Sequence, residues 1–128
     1  MIKNILKSKI FKDKRGLIAD VIYNTKINHI AYITTKKNNI RGNHYHKKTI
    51  QYTFVLEGKI KYYFKSKKAN KVSQLTLKKG DLIKSKLNEI HAFKTLSKKS
   101  IMLALTSGIR GGKDYEKDTF RVEPIVTK

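Results

Sequence analysis

The chain has 128 residues, the size of one domain, and its 39% hydrophobic content is enough for one core. It contains no cysteine, which excludes disulfides and thiolate metal sites and leaves histidine, carboxylate or amide groups as the only metal ligands. The formal charge of +21 is carried mainly by lysines scattered along the whole chain, often in pairs such as Lys36-Lys37 and Lys78-Lys79. That scatter reads as surface composition. No nucleic-acid-binding motif accompanies it, and a small anion is the partner such a charge would attract.

No apolar run approaches the ~20 residues needed to span a bilayer. The first nine residues lack the unbroken apolar stretch of a secretion signal, so a cytoplasmic protein is expected. Helical periodicity is nearly absent. Short β-branched and aromatic runs recur instead, separated by Lys, Asn, Gly and Ser. In chain order, strands are expected at 17–23, 29–35, 42–46, 50–57, 59–65, 71–77, 81–84, 90–95, 101–106 and 120–122. Glu57-Gly58 joins two of these runs as a tight turn, and Lys78–Asp81 and Lys86–Glu89 read as further turns. Proline occurs once, at Pro124, and no linker or repeat interrupts the pattern. An all-β, single-domain chain of many short strands is a sandwich or a barrel.

The most chemically loaded stretch is 41–51, Arg-Gly-Asn-His-Tyr-His-Lys-Lys-Thr-Ile-Gln. On a strand, residues two apart share a face, so His44 and His46 enter the same space. Two imidazoles so placed suit proton transfer near neutral pH, and they suit metal binding equally well. With His91 they would give three facial nitrogens, and Gln51 a weak fourth ligand. An amide in place of a carboxylate weakens such a site for a divalent ion. The acidic residues of the C-terminal stretch, Asp114, Glu116 and Asp118, read as an exposed polar segment.

His44-x-His46 is followed by Gln51 and Gly58, and Gly80 by His91. These two spaced sets resemble the paired motifs of the cupin superfamily, small jelly-roll β-barrels, with Gln51, Lys86 and Asn88 standing where the family pattern has Glu, Pro and Gly. More narrowly, Arg41-Gly-x-His44-x-His46-Lys-Lys-x-x-Gln51, with Asp13-Lys-Arg15-Gly16 upstream, resembles the nucleotide-sugar 3,4-ketoisomerases that act on dTDP-4-keto-6-deoxyglucose. The stretch 111–121 does not match their tail.

The resemblance implies a cupin jelly roll and a homodimer formed through a strand near the N-terminus. It also implies isomerisation of a dTDP-linked 4-keto-6-deoxyhexose to its 3-keto form in surface polysaccharide synthesis, with no cofactor. Under it, His44 is the base, His46 a shuttle or orienting group, and Tyr32 a proton donor. Arg15, Arg41, Lys48, Gln51 and His91 bind the nucleotide-diphosphate sugar. The alternatives are a metal-binding cupin using His44, His46, Gln51 and His91, a 3,5-epimerase, and a binding module without turnover.

Overall fold

Period-two alternation builds this chain. In β6 the inward Thr53 and Val55 are fully buried, and in β11 Met102, Ala104 and Thr106 alternate with less buried or outward neighbours. A computed structural model describes residues 5–6, 9–114 and 116–128, so most of the N-terminal stretch read for a secretion signal lies outside the described residues.

The strands are β1 (Ile5–Leu6), β2 (Lys9–Asp13), β3 (Gly16–Asp20), β4 (His29–Lys36), β5 (Ile40–Tyr45), β6 (Gln51–Glu57), β7 (Lys59–Ser66), β8 (Ser73–Lys78), β9 (Leu82–Ser85), β10 (Glu89–Thr95), β11 (Lys99–Thr106) and β12 (Phe120–Arg121). One 3-10 turn, Gly112–Asp114, is the sole helical element among the described residues. Among these residues no helix is long and apolar enough to cross a membrane.

Two five-stranded antiparallel sheets form, in the orders β1-β9-β6-β11-β4 and β12-β5-β10-β7-β8. From β4 onward the chain passes from one sheet to the other at nearly every connection, which is the winding of a jelly roll. The barrel between the sheets is apolar at one end, where Val55, Ile60, Tyr62, Leu77, Ile83 and Met102 pack together. Burying each such aliphatic side chain contributes roughly 1.5–3 kcal/mol. The other end is polar, because the inward residues there are His29, His44, Gln51, Ser85, His91 and Thr106. Where Tyr62 lies between the two ends, its hydroxyl shares a 2.8 Å hydrogen bond with Ser85.

Two departures from the expected elements concern the N-terminal third. The strand expected at 17–23 stops at Asp20, and the chain then folds irregularly so that Val21, Ile22 and Ile27 cover Phe54, Leu82 and Leu105 on the outer face of the first sheet. The strand β2, in a run interrupted by lysines, pairs with β3 as a hairpin that forms a separate two-stranded sheet. Phe11, Leu17 and Ile18 on this hairpin, and Ile30 and Tyr32 on the outer face of β4, are all at least 59% exposed.

Candidate active site

Two residues of positive φ deliver the histidines. Gly42 (φ 106) and Asn43 (φ 58) sit opposite an irregularity in β10, between His91 and Ala92. β10 passes so close that a Cβ on Gly42 would lie 2.7 Å from the His91 carbonyl oxygen and 3.0 Å from Ala92 Cα. Only glycine fits there. Asn43 holds its left-handed conformation by accepting hydrogen bonds at Oδ1 from the backbone N–H groups of Ile125 (2.9 Å) and Val126 (3.4 Å). Beyond this kink, alternation along β5 turns His44 and then His46 inward and leaves Tyr45 outside, stacked on Phe120.

His44, His46 and His91 are all buried, and their ring centroids are 4.8–5.3 Å apart. Glu89 offers its carbonyl to His91 Nδ1 at 3.3 Å, which leaves His91 Nε2 buried without a partner among the described residues. Gln51 donates through Nε2 to Thr53 Oγ1 at 3.0 Å, and its buried Oε1 faces His46 without a hydrogen bond of good geometry among the described residues. The Thr106 hydroxyl is a further buried oxygen without a partner among the described residues, and the Thr49 hydroxyl lies against the Asp118 carboxylate. Buried polar atoms without protein partners are uncommon in folded proteins, and a concentration of them marks a surface built for a polar ligand.

Two further residues complete the site. Arg110, itself buried, places one terminal nitrogen over the His46 ring, 3.2 Å from Nε2 and 3.5 Å from Nδ1, and donates from it to Thr119 Oγ1 at 3.3 Å. Asp118 accepts at its carboxylate from three successive backbone N–H groups, Lys47 (3.0 Å), Lys48 (2.9 Å) and Thr49 (2.8 Å). The carbonyl of the same residue lies 2.7 Å from His46 Nδ1. A carbonyl can only accept, so Nδ1 carries the proton and Nε2 presents a lone pair to the barrel.

All three imidazoles are held neutral. Burial lowers His44 to about 2, and the neighbouring His91, His46, Arg110 and Arg121 each oppose its protonation. Burial lowers His91 to about 3, His46 adding to the effect. His46 is also lowered by burial, but the Asp118 carbonyl, the Asp118 charge and Gln51 work in the opposite direction. The Arg110 charge opposes protonation of His46, and the Glu89 carbonyl favours that of His91, so His44 is the one of the three with no contact that favours its protonated form. Burial raises the Asp118 carboxyl, but the N–H groups of Lys47, Lys48 and Thr49 outweigh it and hold the group below its ordinary value.

The structure thus brings together four of the residues singled out in the sequence, His44, His46, Gln51 and His91. Arg41 stands at the seam between the sheets, its guanidinium donating to Thr35 Oγ1 and to the Thr34 carbonyl, both at 2.9 Å. It lines a cavity of about 240 Å³ together with His29, Ala31, Ile33, Thr106 and Arg110. A second, open groove of about 580 Å³ adjoins Arg41 on the side of Lys36, Asn39 and Lys99.

Three expected site residues lie elsewhere. Tyr32 is 63% exposed, because His29, Ala31 and Ile33 take the inward positions of β4 and leave Tyr32 on the outer face. Arg15 is at the tip of the β2–β3 hairpin, paired with Asp13 at 2.7 Å. Lys48 contributes its backbone N–H to Asp118, while its side chain is exposed. Neither Arg110 nor Asp118 had been singled out for the site. Asp118 read as part of a solvated polar segment with Asp114 and Glu116, and nothing in the sequence set it apart from them.

The three imidazoles could hold a transition metal, since one ring nitrogen of each lies within 4.8 Å of the others. The donor set is incompletely suited to it. The Arg110 cation lies against the His46 ring, where its charge opposes that of a metal, and no carboxylate belongs to the set.

A sequence profile described as the polysaccharide biosynthesis C-terminal domain matches residues 11–117. No curated protein sequence matches the chain. Among solved structures, the sugar 3,4-ketoisomerase QdtA of Thermoanaerobacterium thermosaccharolyticum superposes with a TM-score of 0.78 at 23% identity, covering 95% of this chain and 90% of that one. The dTDP-4-dehydrorhamnose 3,5-epimerase of Sulfolobus tokodaii gives 0.74 at 20% identity over 90% of this chain and 73% of that one. The capsular polysaccharide assembling protein CapF of Staphylococcus aureus gives 0.70 at 16% identity, over 91% of this chain and 34% of the longer protein. These likenesses agree on the cupin-like jelly roll, and the extent of the profile match makes the chain a member of the polysaccharide biosynthesis C-terminal domain family.

Proposed function

We propose that the chain is a sugar-nucleotide isomerase that converts a dTDP-linked 4-keto-6-deoxyhexose to its 3-keto isomer in surface polysaccharide synthesis. The observation that carries this reading is the pair of neutral imidazoles, His44 and His46, enclosed side by side in the polar end of the barrel with the Arg110 guanidinium against His46. The relatives support it. QdtA is described as a 3,4-ketoisomerase in complex with TDP, and a histidine-to-asparagine variant of it is in complex with TDP-4-keto-6-deoxyglucose.

The reaction needs two proton acceptors of neutral form. In the first half the C3–H bond breaks, its electron pair forms the C3–C4 double bond, and O4 gains a proton to give an enediol. In the second, O3 loses its proton, the C3 ketone forms, and C4 gains a proton. One histidine serves the two carbons and the other the two oxygens. His46, whose protonated form Asp118 supports, is the better acceptor from carbon, so we assign it the part that sequence reasoning gave to His44. His44 then carries the proton between O4 and O3. The Arg110 cation offsets the charge that develops on O4. The 240 Å³ cavity has room for a sugar ring and meets the imidazoles only through Arg110, which lines it and touches His46, while the groove beside Arg41, Lys36 and Lys99 suits an anionic diphosphate.

The exposed apolar residues Phe11, Leu17 and Ile18 of the β2–β3 hairpin and Ile30 and Tyr32 of β4 support a homodimer that covers them, because a monomer seldom leaves so many large hydrophobics in water. Within such a dimer Arg15, on the hairpin, and Tyr32, on the outer face of β4, are available to a partner's site and not to their own.

The test is dTDP-4-keto-6-deoxyglucose in deuterated water, followed by NMR. The proposal expects a 3-keto product with deuterium at C4, lost in His44→Asn and in His46→Asn. Deuterium at C3 and C5 with the ketone unmoved would make the chain a 3,5-epimerase. Binding without exchange would make it a binding module. The spacing of the three imidazole nitrogens favours a second reading, a metal-binding cupin. Tight zinc or cobalt binding lost in His91→Ala would support it.

A further inference from the structure

We infer that Asp118 is a positioning residue that fixes His46 as its Nδ1–H tautomer and so presents the Nε2 lone pair to the barrel interior. The kinetic part of this inference rests on the reading above, and the tautomer part needs no substrate.

Two observations meet at this residue. The Asp118 carboxylate spans the N–H groups of Lys47, Lys48 and Thr49 at 2.8–3.0 Å, closing over the turn that follows His46. Successive N–H groups converging on one carboxylate form an anion-binding nest, and a charge-assisted set of this kind is stronger than neutral hydrogen bonds. That clamp fixes the main chain of residue 118, and the carbonyl it carries stands 2.7 Å from His46 Nδ1. Arg110 stands over the ring, one terminal nitrogen 3.2 Å from Nε2 and 3.5 Å from Nδ1, so the Asp118 carbonyl is the contact that selects the tautomer. The chain distance adds weight, since the clamp and the ring contact both bridge about 70 residues of sequence to one point.

The side chain thus acts through the backbone it anchors. Asp118→Ala removes the clamp while leaving a carbonyl in the sequence, and the inference is that the carbonyl then no longer stays in place. The readout is long-range proton–nitrogen correlation NMR on 15N-labelled protein at pH 7.5, with His46 assigned by its absence in His46→Asn. Wild type is expected to show a protonated Nδ1 and an unprotonated Nε2. Asp118→Ala should shift His46 at least several-fold toward the Nε2–H form or to a mixture, while the backbone amide spectrum stays that of a folded barrel. Asp118→Asn, which keeps one carbonyl oxygen for the clamp, should lie between.

On substrate, the same variants should lower kcat by about ten-fold or more, with KM changed by less than about three-fold, the signature of a misaligned acceptor and not of lost binding. An Nε2–H tautomer in wild type overturns the inference outright, even if neither variant folds. An unshifted tautomer in folded Asp118→Ala also overturns it. If no substrate is turned over but the tautomer shifts as stated, the proposed reaction fails and the positioning role stands.

Discussion

Replacing Gly42 with alanine tests the idea that one close approach between β5 and β10 sets the site. The added Cβ would meet the His91 carbonyl oxygen at 2.7 Å and Ala92 Cα at 3.0 Å, and both neighbours are backbone. Ordinary contacts begin near 3.4 Å, so β10 or β5 must give way by several tenths of an ångström. The positive φ of 106° adds strain of about 1–3 kcal/mol for any residue with a Cβ. Forcing atoms into a packed region costs about 1–3 kcal/mol more. The sum, about 2–6 kcal/mol, is a large share of the 5–15 kcal/mol of a typical domain.

Gly80 separates the two effects. Its φ is +91°, yet a Cβ there meets nothing within 4 Å, so Gly80→Ala carries the strain without the clash. Urea unfolding followed by circular dichroism should rank wild type above Gly80→Ala and Gly80→Ala above Gly42→Ala. The imidazole resonances of His44 and His91 should move in Gly42→Ala alone. A Gly42→Ala protein as stable as Gly80→Ala, with the histidine resonances unmoved, would refute the reasoning.

The histidines predict a pH dependence of stability. His44 and His91 are lowered in the folded state to about 2 and about 3 from 6.5, so between those values the unfolded chain binds more protons. Their contribution is complete above pH 6.5 and is lost as pH falls, up to tenfold in the folding equilibrium per pH unit for each, or roughly 5 kcal/mol for both over two units. The urea midpoint should be flat from pH 7 to 8 and fall steadily toward pH 5, and a flat profile down to pH 5 would count against neutral burial. Asp118, lowered from 3.8, acts in a separate window, its contribution being lost only as pH falls below that value. Tyr62→Phe should cost about 1–2 kcal/mol in urea unfolding, because it leaves the buried Ser85 hydroxyl without its 2.8 Å partner. Ile30→Glu combined with Tyr32→Glu should convert a dimer to a folded monomer in analytical ultracentrifugation, and an unchanged mass would place the dimer contact elsewhere.

Most strands from β4 to β11 were legible because their alternation is clean, as in β6 and β11, and because Glu57-Gly58 marks a turn where φ is positive. The shared face of His44 and His46 followed from strand periodicity alone. The parity of β4 did not. His29, Ala31 and Ile33 on one face and Ile30 and Tyr32 on the other are about equally apolar, so the pattern carries no preference for which set turns inward. Only the placement of the first sheet against the second decides it. Arg110 and Asp118 were illegible for a different reason: they act from irregular chain that has no periodicity to read, and their partners are 64 to 72 residues away. The strand β2 was hidden by lysines at positions 9 and 12, which mask its apolar residues.

The bridge from Asp118 to the turn after His46 also orders events during folding. Joining points about 70 residues apart costs roughly 4 kcal/mol of loop entropy if nothing else has closed the intervening chain. Once β5 to β11 have formed their sheets, most of that cost is already met, and the 110–121 segment can dock onto a finished barrel. The Asp118 clamp is therefore the part of the histidine end that this entropy cost places last. During synthesis, a chain released only as far as β11 would hold all three histidines but lack the clamp that orients one of them.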